Sequence, residues 1–153
     1  MATNNAGSAA NTAANFTILG YRVLVVDDYQ PFQEMLAASL GTLTQLEEID
    51  FADSGIGAIE KAESKHYDLI FLDVMMPPGI DGYEACTRLR DNPVYKKTPI
   101  IMVSGMDSPF DEVKGIISGC TTYVTKPIQN ELFLKLCNRV LNWLEFQKNI
   151  NAD

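Results

Sequence analysis

Asp27, Asp28, Asp73, Ser104 and Lys126 carry the side chains best suited to holding a cation or a phosphoryl group. Each ends an apolar run: Asp27-Asp28 end "YRVLVV", Asp73 ends "DLIFL", Ser104-Gly105 end "TPIIMV", and Lys126-Pro127 end "TTYVT". Taken singly they have plain readings. An Asp after a strand is a turn or helix-cap residue, paired acids before a helix complement its dipole, and "SG" and "KP" are turn and loop dipeptides. Brought to one place they mean more. Three carboxylates repel one another, and one ammonium does not neutralise them. A hard, oxygen-bound divalent cation does, and Mg²⁺ suits a few carboxylates, a carbonyl and several waters. A carboxylate beside Mg²⁺ and Lys can itself accept a phosphoryl group, with metal and ammonium stabilising the oxygens in transfer. A hydroxyl such as Ser104 can donate to one of those oxygens, and no histidine is required.

The elements between these residues decide whether they meet. After "YRVLVV", "PFQEMLAASLGTL" places Phe32, Met35, Leu36, Ser39 and Leu40 at helical spacing, with Pro31 in the first turn. "EEIDFADSG" is a short strand and "IGAIEKAESKH" a helix. "DLIFLD" is a buried strand and "GYEACTRLRDN" a helix stopped near Asn92-Pro93. "TPIIMVSG" is a strand, "DEVKGIISG" a short helix containing Gly115, and "TTYVTKP" a strand. "NELFLKLCNRVLNWLEFQK" is a long last helix with Asn130 as N-cap. Five β-α repeats with continuous apolar strands predict an α/β fold, a doubly wound five-stranded parallel sheet with helices on both faces. The expected strand order is the flavodoxin-like 2-1-3-4-5. Ligands bind such sheets outside the carboxyl ends of the strands, which is where all five chemical residues fall.

Composition narrows the function. The chain has 153 residues, 46% hydrophobic and 21% charged, an ordinary globular balance for one domain. The formal net charge of −8 argues against nucleic acid as a partner. No apolar run has membrane-spanning length. Cys86, Cys120 and Cys137 form no C-x-x-C pair and read as free thiols, consistent with a cytoplasmic protein. His66, in "ESKHYD", is the one histidine, so a zinc site or a Ser-His-Asp triad has little to build on. Residues 1–15 are Ala, Asn, Thr, Ser and Gly after the Met, without the basic start or apolar core of a secretory signal. They are expected to be a disordered tail, with the domain over 16–149 and a C-terminal tail over 150–153.

From about Tyr21 to Leu144 the sequence resembles the receiver domain of bacterial two-component response regulators, of the stand-alone type. The resemblance rests on "VLVVDD", "DLIFLDVMMP", "DGYE", "IIMVSG" and "YVTKP" in that order. It implies that Asp73 is the phospho-acceptor. Asp28 is then a direct Mg²⁺ ligand, Asp27 binds the metal through water, and the Met75 carbonyl is a further ligand. Lys126 pairs with the phosphoryl oxygens, Ser104 is the switch hydroxyl, and Tyr123 is the aromatic that swings inward with it. Lys126-Pro127 matches a junction that is usually cis. The implied function is a signalling switch that catalyses only its own phosphorylation and dephosphorylation. A histidine kinase or histidine phosphotransfer protein supplies the phosphoryl group, and a downstream target protein reads the result.

The sequence departs from the family pattern in two places. "MPPGIDG" carries one residue more than usual between the acceptor and the "DG", which lengthens the Pro77-Pro78-Gly79 loop. In the last helix Phe133, Leu136, Cys137, Val140, Leu141 and Leu144 form a core stripe. Leu132, Trp143 and Phe146 fall on another face, suited to a partner or a homodimer. Competing functions are a pseudo-receiver that only binds proteins and an aspartate-nucleophile phosphatase. The latter usually needs an acid two residues past the nucleophile, where this chain has Met75. A flavin site lacks its phosphate loop after the first strand.

Overall fold

The computed structural model describes residues 20–151; the tail expected over 1–15 lies outside the described residues. The elements run β1 (Tyr21–Val26), α1 (Gln30–Leu40), β2 (Leu46–Ala52), α2 (Gly55–Ser64), β3 (Leu69–Leu72) and α3 (Gly82–Asp91). After a 3₁₀ turn (Pro93–Tyr95) come β4 (Ile100–Ser104), α4 (Pro109–Ser118), β5 (Thr122–Thr125) and α5 (Asn130–Asn151). The five strands form one parallel sheet in the order β2-β1-β3-β4-β5, the expected order. The last helix continues to Asn151, past the boundary expected at residue 149.

Burial explains the composition of the strands. Every residue of β3 and β4 is buried, because helices cover both faces of the central sheet. One face packs Leu24, Val26, Ile70, Leu72, Ile100 and Met102 against α2, α3 and α4. The other packs Val23, Val25, Leu69, Phe71, Ile101 and Val103 against α1 and α5. The edge strands β2 and β5 are largely half-buried.

Side-chain caps start the three middle helices. Ser54 caps α2 through the Gly57 N–H, and Asp81 caps α3 through the Glu84 N–H. Ser108 and Asp111 form a reciprocal capping box on α4, with Pro109 in its first turn. The sequence reading began α4 only at "DEVKG". Asn130, expected as the N-cap of α5, lies in its first turn, and its side-chain oxygen accepts a hydrogen bond from Ser39 of α1.

Three features fix the spacing between elements. A Cβ on Gly82 would lie 2.1 Å from the Asp73 carbonyl oxygen, so only glycine lets α3 start this close to β3. At Gly115, which the sequence reading took as shortening α4, a Cβ would meet Tyr123, Met102 and Cys120 at 2.9–3.2 Å. Arg90, at the end of α3, donates to the carbonyls of Tyr95, Thr98 and Gly119 at 2.6–2.8 Å. Gly119 closes α4 with φ at 108°, a left-handed conformation that glycine adopts without penalty.

Candidate functional site

Parallel register brings the separate residues together. Val26 pairs with Leu72, so Asp27 and Asp73 leave adjacent strands side by side. The Asp73 N–H donates to the Val26 carbonyl at 2.9 Å. Ser104 pairs with Thr125, and the Lys126 N–H donates to the Ser104 carbonyl at 2.8 Å. All five therefore sit at the carboxyl edge, around the reversal of strand order at β1 and β3.

One carboxylate oxygen each of Asp27, Asp28 and Asp73 lies within 4.8 Å of the others. Asp27 and Asp73 are buried and Asp28 is exposed, so the cluster opens to solvent on the Asp28 side. The Lys126 ammonium lies 2.7 Å from Asp27 Oδ2 and 3.7 Å from Asp73 Oδ2. Asp27 Oδ1 accepts from the Tyr29 N–H at 2.8 Å, and Asp73 Oδ1 from the Val74 N–H at 2.8 Å. Burial and the Asp27 charge push the Asp73 carboxyl up to about 6, against the opposing pull of Lys126 and the Val74 N–H. A second positive charge relieves that crowding. The donors are hard carboxylate oxygens, open to solvent at Asp28, which fits Mg²⁺ and not a soft metal.

Ser104 is buried, and its hydroxyl accepts from the Met106 N–H at 3.2 Å. Tyr123 packs on the α3–α4 side of the sheet and donates its hydroxyl to the Met106 carbonyl at 2.6 Å. Both side chains thus grip the loop after β4. Lys126–Pro127 is cis, as is Pro77–Pro78 within the lengthened loop. That loop turns at Gly79, with φ at 114°, and leaves Met75 exposed while Val74 and Met76 are buried. Leu132, Trp143 and Phe146 are all exposed on α5, and Leu132 shares a cavity with Thr125 and Pro127 at the end of β5.

Two residues escaped the sequence reading. The Lys126 ammonium lies 4.0 Å from the centre of the Phe32 ring, which confines it from the α1 side. The sequence shows Phe32 only at helical spacing in α1, and nothing in that spacing points to the lysine after β5. Tyr83, inside "DGYE", donates to the Asp111 carbonyl at 3.2 Å and lies under the Lys114 ammonium. Burial, then the neighbouring Tyr123 hydroxyl, push its hydroxyl up. Tyr83 therefore joins the start of α3 to the start of α4.

The comparisons with known proteins agree with this geometry. The family model described as the response regulator receiver domain matches residues 23–138. The protein PilG of Pseudomonas aeruginosa is 36% identical over 118 residues, spanning 75% of this chain and 83% of PilG. The response regulator PleD of Caulobacter vibrioides is 36% identical over 109 residues, 71% of this chain but 23% of PleD. Among solved structures, the chemotaxis protein CheY4 of Vibrio cholerae superimposes with a TM-score of 0.72 at 33% identity, covering 79% of this chain and 98% of CheY4. A Francisella response regulator receiver domain gives 0.71 at 28% identity, covering 82% and 99%.

Proposed function

The chain belongs to the response regulator receiver domain family, and from that premise we propose that Asp73 accepts a phosphoryl group in the presence of Mg²⁺. The observation that carries this reading is the Lys126 ammonium lying between Asp27 and Asp73, with three carboxylate oxygens within 4.8 Å. Asp28 and Asp73 would hold the cation directly, Asp27 through water, and the Met75 carbonyl would complete the protein's share. The cation supplies charge neutralisation for the phosphoryl oxygens. Lys126 pairs with one of those oxygens. Transfer forms the bond between an Asp73 carboxylate oxygen and phosphorus, and breaks the bond from phosphorus to the histidine nitrogen of the donor.

Ser104 then turns its hydroxyl from the Met106 N–H toward a phosphoryl oxygen. The loop it leaves also holds the Tyr123 hydroxyl, so the change passes to α4 and β5. The phosphoryl group biases an equilibrium between two arrangements of that face. The donor is a histidine kinase or histidine phosphotransfer protein, the exchange takes place in the cytoplasm, and the output is binding to a downstream target. The retained acids and lysine favour this over a pseudo-receiver.

Incubation with Mg²⁺ and acetyl phosphate, followed by intact-mass spectrometry, tests the reading. One phosphoryl mass is expected in the wild type and none in Asp73→Asn or in chelator. No added mass in the wild type, or the same mass on Asp73→Asn, would falsify it.

A further inference from the structure

The α5 helix carries a core stripe and a second, mostly exposed series that joins it at Leu136, which is half-buried against the core. Phe133, Cys137 and Leu141 are buried against β1, β3 and α1. A second series, Leu132, Leu136, Arg139, Trp143, Phe146 and Ile150, advances by four, three, four, three and four residues. That is an unbroken heptad period over almost the whole helix, the repeat that keeps a seam facing a second helix. Leu132 is 60% exposed, Trp143 42%, Phe146 60% and Ile150 52%. Large apolar side chains at this spacing and exposure are not needed to hold α5 on its own sheet.

We propose that this seam pairs with the same seam of a second copy, antiparallel, about a two-fold axis near Leu141. The charge on the seam decides the direction. In a parallel, in-register pair, Arg139 would lie against Arg139 of the other copy, two like charges in an apolar groove. In the antiparallel pair each layer joins different residues: Leu132 meets Ile150, Leu136 meets Phe146, and Arg139 meets Trp143. The last layer places a guanidinium on an indole, a favourable cation–π arrangement. One two-fold therefore satisfies all six positions, as a self-complementary interface requires. The helix is about 33 Å long, so the seam alone is at the small end of specific interfaces and the pairing is concentration-dependent. The inference does not depend on Asp73 accepting a phosphoryl group.

Sedimentation equilibrium on the full chain over a dilution series tests the pairing. A monomer–dimer equilibrium is expected, and Phe146→Asp and Trp143→Ala should each weaken it by about tenfold or more. Both positions are exposed, and unchanged circular dichroism and melting would show that the variants fold. A monomer at every concentration, or variants that associate as tightly as the wild type, overturns the proposal. Direction is read by cross-linking Leu132→Cys chains mixed with Ile150→Cys chains, using a short bismaleimide. The native cysteines are buried, so the reagent acts on the introduced thiols. The mixed 132–150 product is expected. Two copies of position 132 would be about 27 Å apart along the pair, so a 132–132 product in place of the mixed one overturns the antiparallel arrangement.

Discussion

At the residue scale the acids at the carboxyl edge set the terms. With no cation bound, Asp73 titrates near 6 because burial, and then the Asp27 charge, oppose its ionisation. Its folded pKa thus lies above the value of about 3.9 for an unfolded Asp. Its contribution to stability is full below that unfolded value and is lost as pH rises through about 6. In chelator at neutral pH, Asp73→Asn should therefore stabilise the fold by up to about 3 kcal/mol, and the advantage should vanish below about pH 4. Thermal melts of both proteins across pH measure this; Mg²⁺ should shrink the difference. Given the acceptor role proposed for Asp73, Met75, exposed two residues past it, would hinder an attacking water with its bulky apolar side chain. Met75→Asn should shorten the half-life of the phosphorylated form, and an unchanged half-life would remove this role. The acids, Ser104 and Lys126 were legible because each ends an apolar run. Phe32 and Tyr83 were not, because their partners depend on how α1 and α3 lie against β5 and α4.

At the element scale, close approach is the controlling quantity. Gly82→Ala pushes a methyl into the Asp73 carbonyl, so α3 must withdraw from the strand that presents the acceptor. A loss of about 3 kcal/mol or more in urea unfolding is expected. Ser108→Ala removes one half of the α4 capping box and should cost about 1 kcal/mol. Apolar runs and turn residues revealed most elements. They placed the start of α4 too late, although Ser108 and Asp111 already carried the cap spacing. The 3₁₀ turn Pro93–Tyr95 was also missed: Tyr95 is fully buried and donates its hydroxyl to the Ala62 and Lys65 carbonyls. No local period encodes a single aromatic that plugs the gap between two helices.

At the scale of the whole molecule, strand polarity did the work. Five parallel strands force their carboxyl ends onto one edge, which is why residues up to 99 positions apart in sequence could be assigned to one site. Mg²⁺ held at that edge, as proposed, would add stability by mass action. The melting temperature should rise with Mg²⁺ in the wild type and respond much less in Asp28→Asn, read by differential scanning fluorimetry. Which helix faces stay uncovered was less legible. Met35 shares the helical spacing of Leu36 and Leu40 in α1, yet it is 46% exposed while they are buried, because coverage depends on neighbours that the periodicity of one helix does not specify.

The contacts of Arg90 have a mechanical consequence. Its guanidinium grips Gly119 at the far end of α4 while also holding Tyr95 and Thr98. The near end of α4, beside the loop that follows Ser104, is joined to α3 through Tyr83 alone among the hydrogen bonds and cation–π contacts named above, by its hydroxyl on Asp111 and its ring under Lys114. The helix is a lever with a bolted end and a more lightly latched end, and the latch lies beside the loop that follows Ser104. A small pull on the loop after β4 is converted into a swing of the outer surface of α4, which carries Phe110 and Val113. Amide exchange should be faster at Phe110–Glu112 than at Ile116–Gly119, and Arg90→Ala should erase that gradient.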